Sequence, residues 1–266
     1  MKPWNRLRPA FEQVQGRAQT SGLLMPFAAW LLAVILTPLA EWNFGQAGFL
    51  SLTNAMVLAQ AGLVLLILIR AWPKQRLLAV LGLVLALAWL AEYAGHTSGL
   101  LFGQYHYTAL LQPQLGGVPL LIPLAWLMML PPAWAVASRL VRPSNRLGFA
   151  ALSGLAFTAW DLYLDPQMVA KGLWVWDQPG EYFGIPLHNF AGWWLASSLI
   201  TLIVRPDRLP ARPLALVYSL TCLFQLVGLG LFWGQPLPAA AGFLAMVIFA
   251  LLFWGKERQP SGAICF

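Results

Sequence analysis

Charge is scarce in this chain. Only 9% of its 266 residues are Asp, Glu, Lys or Arg, whereas an ordinary soluble domain carries about 25%. A water-soluble globular domain is therefore a poor fit. Cysteine is nearly absent: Cys222 lies inside an apolar run and Cys265 near the end, which suggests neither a disulfide framework nor a cysteine-built metal site. Histidine occurs three times without an HExxH pattern, and no glycine-rich phosphate loop is visible. The net charge of +7 could suit a nucleic-acid binder. Its placement argues for membrane topology instead, so nucleic acid is not expected as a partner.

What is plentiful is hydrocarbon. Apolar residues make up 59% of the chain, in repeated runs of about 20, each long enough to cross a hydrocarbon core roughly 30 Å thick. Only helices or closed barrels satisfy every backbone group there, and runs this continuous do not alternate as barrel strands do. The expectation is an all-α, polytopic membrane bundle with eight spans near 22–40, 48–69, 77–98, 119–138, 147–164, 187–204, 213–233 and 237–254. Fifteen of the 16 Lys and Arg then fall on one side, in the segments before the first span, around Arg76, Arg142 and Arg208, and after the last span; only Lys171 falls on the other. By the positive-inside rule both termini are cytoplasmic. The chain divides into a basic cytoplasmic segment 1–21, one transmembrane domain 22–255, and a cytoplasmic tail 256–266.

Against that background one stretch stands out. Between Trp160 and Trp194 lie four of the nine acids, one of the three histidines and five tryptophans, flanked by apolar runs. An ionisable residue within a span marks a functional site by default, because a partner or a cavity must offset its desolvation. Asp161 and Asp165 are four apart on the fifth span, and Pro166 should make it difficult for that helix to continue. Glu92 and His96 are four apart on the third span, and His188 and Asn189 open the sixth after Pro186. Three helices thus present polar groups at one depth, near the outer face, within an active-site segment 92–194. Helix C-termini disfavour negative charge, so at least one of the carboxyls is expected to hold a proton, as a general acid must. Glu41, Asp177 and Glu181 read as acids facing water, His106 as an interfacial residue, and Trp174 and Trp176 as members of an aromatic belt.

The quoted segments EYAGHTSGLLFGQYHY, GVPLLIPLAW, AWDLYLDP and WVWDQPGEYFGIPLHNFAGWW together resemble the CruF-type carotenoid hydratases, over roughly Glu92 to Trp194. The resemblance implies addition of water across the terminal C=C of an acyclic carotenoid, giving a tertiary alcohol with no cofactor. The substrate, a long apolar carotenoid, would enter from the bilayer, and water and membrane lipid would be the other partners, in a bacterial cytoplasmic membrane. Asp161 or Asp165 would be the proton donor, with Glu92 and His188 positioning and deprotonating water. His96, Tyr105, Tyr107, Tyr182, Asn189 and Trp193 would contact the substrate, the aromatic rings facing the carbocation. A metal-dependent intramembrane hydrolase or oxidase, a proton-coupled transporter and a carotenoid-binding scaffold remain open as alternatives.

Overall fold

The structure is a computed structural model; it describes residues 8–255, with side chains from Gly22 onward. The expected tail 256–266, and residues 1–7 of the expected basic segment, lie outside the described residues. Seven helices account for most of the described chain: α1 (Arg8–Ile69), α2 (Lys74–Ser98), α3 (Leu121–Leu140), α4 (Arg146–Ala170), α5 (Leu187–Val204), α6 (Ala211–Val227) and α7 (Pro236–Gly255). Each includes a stretch long and apolar enough to cross a membrane, α6 together with the π-helical turn Gly228–Phe232 that continues it. The molecule is an all-α, polytopic membrane bundle.

The count is seven rather than eight because the first two expected spans form a single helix. At 62 residues, α1 would be about 90 Å long if straight, three times the thickness of a hydrocarbon core. It is not straight. Gly45 leaves helical geometry at φ 59° and ψ −146°, a conformation that a side chain would strongly disfavour. Just beyond it, a Cβ on Gly48 would run into the carbonyl of Ala40, eight residues back and about 12 Å away along a straight helix. The two limbs therefore fold against each other. Trp30 and Thr37 from one limb line the same cavity as Thr53 and Gln60 from the other.

The centre of the bundle is α3, most of whose side chains are buried and which packs on α1, α2, α4, α6 and α7. Pro131 and Pro132 lie within it. Beside it, α4 is locked by Tyr163, whose hydroxyl donates to the Cys222 carbonyl of α6 at 3.0 Å. The same ring fills the space where a Cβ on Gly242 of α7 would otherwise sit.

Helix α4 also overturns an expectation, for it continues through Pro166 to Ala170. Proline has no N–H and so leaves the carbonyl four residues earlier, that of Leu162, without its helical partner. The hydroxyl of Tyr182 supplies the missing donor at 3.0 Å. Asp165 and Asp161 consequently lie about one and a half and two and a half turns inside the helix, not at its end.

Two long connections close the end of the bundle nearest these acids. The first carries β1 (Tyr105–Tyr107) and a small hairpin, β2 (Gln114–Leu115) and β3 (Val118–Pro119); the second carries β4 (Trp174–Trp176). β1 pairs antiparallel with β4 in the register Tyr105↔Trp176, His106↔Val175, Tyr107↔Trp174. The strand period of two then turns Tyr105, Trp174 and Trp176 inward and leaves His106 and Val175 exposed. At the opposite end the basic connections meet: Arg76 forms an ion pair with Asp207, and Pro143, Arg146 and Arg205 line one surface pocket.

Candidate active site

Three carboxyls are buried below the β1–β4 ladder. Glu92 on α2 is 2% exposed, and Asp161 and Asp165 on α4 are 0% and 2% exposed. A carboxyl in such surroundings is costly unless its oxygens find donors. Glu92 finds three: Tyr105 at 2.6 Å and Tyr107 at 2.8 Å on Oε2, and the Trp126 indole at 2.9 Å on Oε1. Burial first, and then the charge of Glu92, push both phenols well above their ordinary range, so they remain donors.

The two aspartates are organised by one amide. Asn189 Nδ2 donates to Asp165 Oδ2 at 2.6 Å and to Asp161 Oδ2 at 3.1 Å. Trp174 Nε1 donates to Asp165 Oδ1 at 3.1 Å. Asp161 Oδ1 has no partner among the described residues. A cavity of about 350 Å³, counting the open space at its mouth, is lined by Glu92, Asp165, Asn189, Tyr105, Tyr107 and an aromatic wall. In that wall Trp193 stacks on Trp126 at 4.9 Å and on Phe157 at 5.3 Å between centroids.

Most of the expected site residues converge here. Glu92, Asp161, Asp165, Asn189, Tyr105, Tyr107 and Trp193 belong to one cluster, in which the Asn189 amide nitrogen holds both aspartates. His188 does not join them: it is exposed on the first turn of α5, with its ring against Gly103. His96 does not form a hydrogen bond with Glu92; its Nδ1 lies 3.3 Å from the Tyr105 carbonyl. Tyr182 serves α4 through Leu162; burial, followed by the two aspartates, pushes its phenol up to about 12. Asp177 and Glu181 are exposed as expected, Asp177 lying 3.2 Å from His106.

Three expectations give way. Trp174 and Trp176 are not a belt but buried residues whose indoles bond to Asp165 and to the Phe102 carbonyl. Glu41 does not simply face water: it pairs with Lys171 and accepts from Trp233 at 2.7 Å. Trp126 was not singled out in the sequence at all, though a tryptophan deep in an apolar span needs a partner for its N–H, and that need was the available signal.

A second, larger cavity of about 880 Å³, counting the space at its mouth, adjoins the first. It lies between both limbs of α1, α3, α4 and α6, and Ile122, Ala125, Leu164 and Trp174 border both cavities. Its walls are mostly aliphatic and aromatic. Among the described residues, no three His, Cys, Asp or Glu side chains come together as a group able to hold a metal ion.

Fold and site define an integral membrane protein with buried acids at the end of an apolar chamber, an arrangement suited to proton chemistry on a hydrophobic molecule. The chain belongs to the carotenoid biosynthesis protein family, which it matches over residues 52–249, a range containing every residue of the cluster. This agrees with the resemblance seen in the sequence. It is also similar to a bisanhydrobacterioruberin hydratase of Haloarcula japonica, with 32% identity over 117 residues. That similarity covers 42% of this chain and 39% of the relative, about two fifths of its length. No solved structure matches the chain.

Proposed function

We propose that this protein is a carotenoid hydratase, adding water across the terminal C=C of an acyclic carotenoid end by acid catalysis. The observation that carries this reading is the position of Asp165, which lines the small cavity beside the aromatic wall and adjoins the larger apolar chamber. Family membership and the name of the Haloarcula relative support the substrate class.

The polyene lies in the larger chamber with its end group past Leu164 and Trp174. Asp165, bridged to Asp161 by Asn189, gives its proton to the less substituted alkene carbon and becomes a carboxylate. The positive charge forms on the tertiary carbon, facing the electron-rich rings of Trp193 and Trp126. Water held near Glu92, Tyr105 and Tyr107 forms the new C–O bond, and its surplus proton returns to the aspartate pair. The acid is regenerated, and the net change is alkene plus water to tertiary alcohol. The chain sits in a bacterial cytoplasmic membrane with this site towards the outer face, as the distribution of basic residues supports.

The test is pigment analysis of a host that makes an acyclic carotenoid, with and without this protein. A more polar pigment carrying one added water per reacted end is expected. Unchanged pigment at a confirmed membrane level of the protein would remove the hydratase reading.

A further inference from the structure

At the end of the bundle where the basic connections meet, a surface pocket opens between the start of α4 and the end of α5. Its volume is about 700 Å³, counting the open space at its mouth. Arg146, the first residue of α4, and Arg205, which caps α5, line it with Ser144, Phe149 and Leu202. Neither arginine is paired with an acid. The Arg146 guanidinium has no hydrogen-bond or ion-pair partner among the described residues, and that of Arg205 gives only its Nε to the Leu202 carbonyl, at 3.3 Å. Among the described residues Asp207 is the one carboxylate in the lining, and it is claimed from the far side. Its side chain pairs with Arg76, and the Trp72 indole donates to its backbone carbonyl at 2.9 Å. Two guanidiniums with most of their donors unspent therefore share the pocket with a carboxylate that is already neutralised.

The positive-inside rule accounts for arginines at this end of the bundle, but not for the backbone that carries one of them. Arg205 stands at φ 51° and ψ 60°, a left-handed conformation that favours glycine and disfavours residues with a Cβ. Strain of this kind is found at ligand clamps. The surroundings say what kind of anion would enter. Leu195, Leu199 and Ile203 follow one another at intervals of four along α5, all exposed, and form an apolar stripe that ends next to Leu202 and Arg205. Leu147, next to Arg146 at the start of α4, is 74% exposed. The pocket thus lies where a surface suited to acyl chains gives way to the polar interface, with cations at the level of a headgroup phosphate. A headgroup of net negative charge suits the two arginines, whereas the ammonium of a zwitterionic one meets only Asp207, which Arg76 already holds.

We infer that this pocket binds one anionic phospholipid of the adjoining leaflet, its phosphate held by Arg146 and Arg205 and its acyl chains lying along α5. The inference does not depend on the hydratase reading. Helix α4 carries both buried aspartates and α5 the Asn189 that bridges them, so lipid bound here joins, at their far ends, the two helices that build the acid pair. A ligand that binds only the folded protein also stabilises it. Inorganic phosphate offers the same oxygens without the acyl chains, and the test separates the two sources.

Purified protein in detergent is titrated with short-chain phosphatidylglycerol, short-chain phosphatidylcholine or inorganic phosphate. Native mass spectrometry counts the bound molecules, and the melting temperature is followed alongside. The wild type should bind one phosphatidylglycerol more tightly than phosphatidylcholine by roughly fivefold or more, the effect of one basic side chain near anionic lipid, and should melt at a higher temperature with it. Arg146→Gln and Arg205→Gly should each weaken that binding by about fivefold. Glycine suits the backbone at position 205, so the loss there is not a loss of folding. Lys74→Gln and Arg212→Gln remove the same charge from other basic connections, outside the pocket, and should bind as wild type. Equal affinity for the two lipids would overturn the inference. So would a loss in the Lys74 and Arg212 variants as large as in the pocket variants, which is the mark of diffuse attraction. Inorganic phosphate that displaces the lipid at equal concentration would make this a free-anion site and overturn its assignment to lipid.

Discussion

The two aspartates are not equivalent. Asp165 lines the small cavity and accepts from both Asn189 and Trp174, while Asp161 lies behind it with one oxygen unpartnered. In the proposed mechanism Asp165→Asn removes the donor itself and should lower the hydration rate by about 10²–10⁴-fold, the usual contribution of a general acid. Asp161→Asn should cost less, since the proton is delivered by its neighbour. Asn189→Leu keeps the bulk but withdraws the amide donor of Asp161 and one of the two donors of Asp165; losing donors to buried carboxyls costs about 1–3 kcal/mol or more. We expect a lower melting temperature together with lost activity. Glu181→Gln, on an exposed loop residue, should behave as wild type. All four are read by product formation at matched membrane levels. At this scale the acids were legible because a carboxyl inside an apolar run is rare and costly. The partners were less so: Tyr105 and Tyr107 were noticed as rings, whereas it is their hydroxyls on Glu92 that matter, and nothing in the local sequence of Trp126 or Trp174 states which acid each indole serves.

At the level of elements, the spans follow from hydropathy, and their ends follow from contacts that hydropathy does not contain. Pro166 illustrates this. Read locally it stops a helix; in the folded chain Tyr182, sixteen residues later, replaces the donor that proline lacks. Tyr182→Phe should therefore uncover the Leu162 carbonyl at a cost of about 1–3 kcal/mol. The expected result is a fall in melting temperature and faster amide exchange in the last turns of α4, while the chemistry of the carboxyls is retained in correctly folded protein. Unchanged exchange in 162–170 would show that the tyrosine does not support the helix. The turn in α1 was equally hidden. The sequence placed a connection between two spans there, and the chain makes it with almost no loop, because Gly45 adopts a backbone shape open to few other residues and Gly48 lets the limbs approach. Gly48→Leu should open this turn and lower the yield of folded protein in the membrane.

For the molecule as a whole, orientation is the first matter to test. The basic connections that gather around Arg76, Arg146 and Arg205 should face the cytoplasm, so reporter fusions at Arg76, Arg142 and Arg208 should read inside and fusions after Gln114 and Gln178 outside. An inside signal at Gln178 would invert the proposed site. At the other end, the Glu41–Lys171 pair joins the tip of α1 to the end of α4, and Trp233 ties in the turn before α7. Both side chains are only about one fifth exposed, so a double-mutant cycle should return a coupling above the roughly 0.2–1 kcal/mol of a solvent-exposed pair. The layout of the two cavities has a mechanical consequence. The acid cavity draws its walls from α2, α3, α4, α5 and the two outer connections, and the chamber from α1, α3, α4 and α6. Among the described residues neither α1 nor α6 supplies a side chain to the acids. One cross-strand pair spans them instead: Tyr107 holds Glu92, and Trp174, directly opposite on the ladder, holds Asp165. That pair works as a caliper, setting the gap between acids on two different helices from outside the bundle. Because the α1 hairpin and α6 wall the chamber while the ladder sets the acids, a change in the width of the chamber need not change the width of the jaws.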